Sequence, residues 1–261
     1  MNENVVLSEA NRTYWSQRST SYSDVNKEEL AGISRHSWSS VLHEEIYSHF
    51  PDRSPESISV LDVGTGPGFF AILLAESGFH VTAVDMTPEM LDEARQNAGK
   101  LAELIDFREM NAEALDLPDE SFDVIVTRNL TWNLPHPEDA YSEWHRTLRH
   151  GGLLLNFDSN WYGYLFDEIA RERYEADRAC SAELGLGDQN VGENFDVMED
   201  IARNMPLSDI KRPEWDISVL SRLGFNVTTN TDIWKKVWTI QEQTNFSSTP
   251  MFMVSAVKDC F

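Results

Sequence analysis

The 261 residues include only two cysteines, Cys180 and Cys260, far apart in the chain. With no C-x-x-C and no His/Cys cluster at ligand spacing, neither a disulfide framework nor a structural zinc is indicated, and no metal is expected. Positive charge is scarce: 21 Lys and Arg stand against 44 Asp and Glu, a formal net charge of −23. Such a surface repels a phosphate backbone, so nucleic acid is not an expected partner, while solubility and attraction of a cationic substrate are both served. No run approaches the roughly 18 apolar residues of a membrane span, so no membrane association is expected. The opening Met1-Asn2-Glu3-Asn4 lacks the basic and then apolar order of a secretory signal, which makes the cytoplasm the expected compartment.

Two nucleotide motifs are also missing at the one place where they would be looked for. The apolar run Ser59 to Val63 reads as a buried parallel strand, and Gly64, Gly66 and Gly68 follow it directly. Glycines there let the chain turn and bring a ligand against main-chain N–H groups. Phe69 to Ala75 then starts a helix, with Gly78 closing it. A dinucleotide fingerprint needs its third glycine where this chain has Phe69, and a phosphate-binding P-loop needs Gly-Lys-Ser/Thr at the helix start. A nicotinamide oxidoreductase and an ATP- or GTP-binding site are thereby disfavoured.

What is present is an acid, Asp62, then G-x-G-x-G, then a second acid, Asp85, ending the next apolar run from His80. This combination resembles the class I S-adenosylmethionine-dependent methyltransferases, in the group that includes ubiquinone and menaquinone biosynthesis enzymes. The resemblance continues through Asn111-Ala112-Glu113-Ala114-Leu115-Asp116-Leu117-Pro118 and Phe122-Asp123, and through Arg146-Thr147-Leu148-Arg149-His150-Gly151-Gly152. It covers residues 59 to 158 well and 219 to 257 loosely. It implies a Rossmann-like α/β fold whose seven-stranded, mostly parallel sheet has its last strand antiparallel, inserted between strands five and six.

The resemblance also implies a cofactor, S-adenosyl-L-methionine, and a set of residues around it. Asp62, Gly64, Thr65, Gly66 and Gly68 would pass its methionine part. Asp85 would bond both ribose hydroxyls, a task suited to a carboxylate that accepts two hydrogen bonds at once. Met86 would lie against the adenine. Asn111, where the family carries an acid, would accept from the adenine amino group beside Ala112. Arg128, ending the fourth strand, would reach both cofactor and reaction site. Tyr14 and Tyr22 of the aromatic N-terminal part would touch the cofactor from above.

Four segments of one domain are expected: a helical cover over 1–57, the cofactor core over 58–158, an inserted cap over 159–213, and the rest of the sheet over 214–261. The cap opens at the C-terminal edge of the sheet, where open α/β folds bind ligands, and it opens with Trp161-Tyr162-Gly163-Tyr164. Trp161 and Tyr162, with Trp132 and Asp158 approaching from the strand ends, are the candidate acceptor-binding residues. His136 is the base candidate. His36, His43 and His49 flank an apolar stripe of Leu42, Ile46 and Phe50 and read as surface residues. The expected reaction is in-line methyl transfer to a small-molecule amine, thiol or hydroxyl. A regulator that binds the same cofactor without turnover would have the same motifs.

Overall fold

A computed structural model describes residues 3–187 and 195–260. Two helices, α1 (Glu3–Ala31) and α2 (Ile33–His49), precede the alternating core. The core runs β1 (Ser59–Val63), α3 (Phe69–Glu76), β2 (His80–Asp85), α4 (Pro88–Ala98), β3 (Ile105–Glu109), β4 (Phe122–Arg128), α5 (Pro137–Thr147) and β5 (Leu148–Asp158). After it come α6 (Glu168–Glu183), α7 (Phe195–Ala202), α8 (Glu214–Arg222), β6 (Phe225–Asn230), α9 (Trp234–Val237), α10 (Ile240–Asn245) and β7 (Phe252–Lys258).

The strands form one seven-stranded sheet in the order β3-β2-β1-β4-β5-β7-β6. β7 is antiparallel to both β5 and β6, and the pairs among β1 to β5 are parallel. This is the expected arrangement. The central strands are apolar on successive residues because both faces are covered. Val60, Val124, Val126, Leu153 and Leu155 pack on one side with α2 and α3, while Leu61, Ile125 and Leu154 pack on the other with Tyr141 and Trp144 of α5.

Alternation on both faces has a consequence at the strand ends. Each central strand brings a polar residue out at the same C-terminal edge: Asp62 from β1, Asp85 from β2, Arg128 from β4 and Asp158 from β5. The strand ends therefore gather the chain's chemistry on one rim.

α5 stops at Thr147 and β5 already begins at Leu148, ahead of Gly151-Gly152. The register jumps from Phe122↔Leu148 to Val124↔Leu153, so the glycines lie in a bulged strand, with Gly151 at φ 70°. The N-terminal cover is dominated by one 29-residue helix. Two short helices, α9 and α10, stand between β6 and β7. Of the histidines taken as surface residues, His36 is exposed, whereas His43 and His49 are half-buried and bonded to Ser77 Oγ and the Gly151 carbonyl.

Candidate active site

The turn after β1 is built to hold a ligand against backbone. Gly64 and Gly66 have φ of 68° and 52°, the left-handed region that favours glycine. A Cβ on Gly64 would collide with Leu130 at 2.7 Å, whereas one on Gly66 would project toward Tyr22, its nearest neighbour at 3.7 Å. Asn97 of α4 fixes this turn by donating to the Pro67 carbonyl at 3.0 Å, and it also bonds Ser23 of α1.

Asp85 closes the other side. Its Oδ2 accepts the Gly66 N–H and its Oδ1 the Thr87 N–H, both at 2.9 Å. Burial raises its pKa, and those backbone donors oppose the rise. The Thr87 hydroxyl and the Met86 N–H act on it as well, and the carboxylate also lines the adjoining cavity. Asp62, 2 % exposed, is pushed up to about 7 by burial, against the pull of the Thr65 hydroxyl, which donates to its Oδ2 at 2.7 Å.

Around these groups lie three adjoining hollows. The first, about 680 Å³, is lined by Gly64, Gly66, Asp85, Met86, Asn111, Ala112 and Arg128, with Asn11, Trp15 and Tyr22 from α1. A smaller one, about 300 Å³, holds Asp62 and Thr65 beside Gly64, Gly66, Tyr22 and Arg128. The largest, about 1080 Å³, is walled by rings, among them Trp132, Trp161, Tyr162, Tyr164 and Trp238. Tyr22 and Arg128 belong to all three, and Trp15 and Asn129 to both larger ones.

Arg128 is the keystone of this junction. Its Nη1 and Nη2 donate to Glu29 of α1 at 2.7 and 2.9 Å, and its guanidinium lies 4.5 Å from the Phe69 ring centroid. Burial works against its charge, but the Glu29 carboxylate outweighs burial and raises its pKa. Next to it, Asn129 is held at φ 57°, and its buried Oδ1 has no hydrogen-bond partner among the described residues. An orphaned acceptor between two cavities is a place for a ligand's donor.

Most residues singled out from the sequence come together here, and some do not. Tyr14 lines none of the three hollows; it packs with Trp132, Met198 and Met205. Its neighbour Trp15 takes the wall instead, because the inward stripe of α1 runs Asn11, Trp15, Arg18, Tyr22, Val25, Glu29. Gly68 is not a wall residue either: it precedes α3 and packs against Ala94 Cβ, which an added Cβ would approach to 3.0 Å.

Asp158 is fully buried away from the cavities. It accepts from Arg212 Nη1 at 2.6 Å and from the Trp132 N–H at 2.9 Å, and Arg212 also pairs with Asp216. Its carboxylate thus orders the turn bearing Trp132 and does not face an acceptor. His136 also lines none of the hollows. Pro137 starts α5 at once, and the His136 N–H bonds Glu113, so the base candidate points to no reaction site. Residues missed from the sequence are Trp15, Arg18, Glu29, Trp238 and Glu242. The 4-3-4-3-4 spacing from Asn11 to Glu29 and the Thr239-x-x-Glu242 capping box were the available signals.

No group of three or more His, Cys, Asp or Glu that could hold a metal occurs among the described residues, nor a helix long and apolar enough to cross a membrane. Residues 61–156 match the family pattern described as "Methyltransferase domain", the stretch that carries the glycine turn, Asp85 and the fourth strand's end. Over this stretch the chain is similar to the class I S-adenosylmethionine-dependent methyltransferases.

The chain is similar to a ubiquinone/menaquinone biosynthesis C-methyltransferase UbiE of Bradyrhizobium, 40% identical over 110 residues that make up 40% of this chain and 44% of that one. It is also similar to an arsenite methyltransferase of Halobacterium salinarum, 38% identical over 104 residues, 38% of this chain and 27% of the other. The chain thus spans less than half the length of these curated relatives. Among solved structures, a Haemonchus contortus phosphoethanolamine N-methyltransferase in complex with S-adenosylhomocysteine shares the fold, with a TM-score of 0.54 at 14% identity over 83% of this chain and 52% of that one. The names of these three methyltransferases point to three different acceptors.

Proposed function

We propose that the protein transfers a methyl group from S-adenosylmethionine to a small-molecule amine, thiol or hydroxyl held in the ring-walled cavity, and that the chain works as one methyltransferase domain capped by residues 159–213. The observation that carries this reading is the junction. A glycine turn and an acid line one cavity, rings line the next, and Trp15, Tyr22, Arg128 and Asn129 are common to both.

The cofactor's needs match the residues of the first cavity and the small hollow beside it. Asp85 would hold both ribose hydroxyls, Met86 and Ala112 would flank the adenine, and Asn111 would accept from its amino group. Gly64 and Gly66 would let the methionine part pass, near Asp62. When bound, S-adenosylmethionine supplies an electrophilic methyl on a sulfonium, and its loss leaves S-adenosylhomocysteine. The protein's own work is then alignment and exclusion of water. Tyr22 and Asn129 wall the passage between donor and acceptor. The unpaired Asn129 Oδ1 can receive the N–H or O–H of the nucleophile and so aim its lone pair.

With Asp158 engaged by Arg212 and His136 elsewhere, no dedicated base is assigned. That suits a thiolate, a neutral amine or an acidic hydroxyl. A screen of small amines, thiols and phenols for S-adenosylhomocysteine production tests the proposal. Tight cofactor binding with no product from any class would favour a regulator instead.

A further inference from the structure

The walls of the second cavity ask for a particular kind of ligand. Among its lining residues the buried side-chain atoms left without a hydrogen bond are Arg18 Nε, Trp161 Nε1 and Asn129 Oδ1. The first two are donors, and the third, an acceptor, sits at the junction with the cofactor cavity. A ligand that satisfies them brings acceptors into the ring-walled chamber and a donor to the junction.

Arg18 is the stronger of the two donors. Of the two arginines lining the cavities, Arg128 is held by Glu29, whereas the Arg18 guanidinium has no ion pair among the described residues and its buried Nε has no hydrogen bond. This is notable in a chain with 44 acidic residues against 21 basic ones. Leaving a half-buried guanidinium unpaired beside aromatic rings is costly, and a bound anion would remove that cost. Its charge is felt by the surrounding hydroxyls: it opposes the burial-driven rise in pKa of Tyr14, Tyr22 and Tyr162. Arg18 stands one helical turn, about 6 Å along the axis, from Tyr22 at the junction. An acceptor can therefore reach Asn129 with one end and Arg18 with the other.

We infer that the acceptor is a small organic acid: an apolar, ring-bearing body with a carboxylate bound by Arg18 and its nucleophilic N–H or O–H presented at Asn129. A carboxylate is favoured over a phosphate because Glu29 and Glu242 in the same wall would repel a dianion. The inference rests on the reading of this cavity as the acceptor site.

The test uses the full chain saturated with S-adenosylhomocysteine and titrated, by calorimetry, with 6-hydroxy-2-naphthoate, the corresponding neutral amide, and the corresponding naphthyl phosphate. The acid is expected to bind at least about tenfold more tightly than the amide. Arg18→Gln should erase that preference while leaving S-adenosylhomocysteine affinity unchanged, and Arg18→Lys should keep part of it. Parent protein that does not favour the acid overturns the inference, as does an acid-to-amide ratio unchanged in Arg18→Gln. Tighter binding of the phosphate would replace the carboxylate by a phosphate ester. Failure of the parent to bind S-adenosylhomocysteine at all is a separate outcome, which strikes at the proposed function itself.

Discussion

Replacing Asp85 should cost the protein most of its hold on the cofactor. In the structure one lone pair on each carboxylate oxygen is taken by a backbone N–H, from Gly66 and from Thr87. The carboxylate also lines the first cavity, where a pair of ribose hydroxyls would bond it. Hydrogen bonds to a charged group are worth about 1.5–3 kcal/mol each, but water competes for a half-buried site. A loss of roughly 2–3 kcal/mol is therefore expected for Asp85→Ala, or about thirty-fold to a hundred-fold in affinity. Asp85→Asn should be no milder, because its NH₂ must face one of the two backbone donors.

Calorimetric titration with S-adenosylhomocysteine near neutral pH measures both variants, with circular dichroism to show that the fold is kept. Acidification supplies an independent arm. Burial raises the Asp85 pKa, so binding by the parent should begin to weaken above the ordinary carboxylate range as pH falls, and the alanine variant should lack this component. Affinities within about threefold of the parent would refute the assignment of the ribose to Asp85.

Trp161→Ala and Tyr162→Ala should keep cofactor affinity and lose most turnover on the acceptor found by screening; undiminished turnover in both would remove these rings from the acceptor site. Arg212→Leu leaves the Asp158 and Asp216 carboxylates buried and unpaired, so denaturant unfolding should show a loss of about 3–5 kcal/mol, and a loss under about 1 kcal/mol would contradict the buried triad. For Asp62, the folded pKa of about 7 lies above the ordinary value of 3.8, so the folded state binds the proton more tightly and loses stability as pH rises through that window. The melting temperature of Asp62→Asn relative to the parent should accordingly climb between those pH values; a difference independent of pH would show that Asp62 does not carry this cost.

The sheet was legible in the sequence because its central strands are apolar on both faces and end on glycine or an acid. Ser59–Val63 and His80–Asp85 were read to the residue for that reason. The wall of the second cavity was not legible in the same way. The inward stripe of α1 mixes Asn11, Trp15, Arg18, Tyr22, Val25 and Glu29, so no apolar periodicity announces it, and Tyr14 looked as suitable as Trp15. Asp158 was placed correctly at the end of β5. That Arg212, 54 positions later, would claim its carboxylate is a long-range pairing that local pattern does not encode. Glu242 and Trp238 sit on or beside helices of four and six residues, too short for periodicity to reveal.

The reversed direction of β7 decides where one more stretch of chain can go. Had it run parallel to its neighbours, the link from β6 would have had to return along a face of the sheet to the opposite rim. Because it runs backward, residues 231–251 stay on the rim where the ligands gather. There Trp238 and Phe246 meet Trp161, at centroid separations of 6.4 and 5.4 Å. The ring-walled chamber is thus assembled from four stretches distant in sequence, and apart from Arg128, Asn129 and Trp132 its walls lie outside residues 61–156. On the proposed function, the hold on the methyl donor and the choice of its recipient are therefore written in separate parts of the chain. Two proteins alike across the core can diverge freely in what they methylate, and shared acceptors should be sought by comparing positions such as 18, 161, 238 and 242.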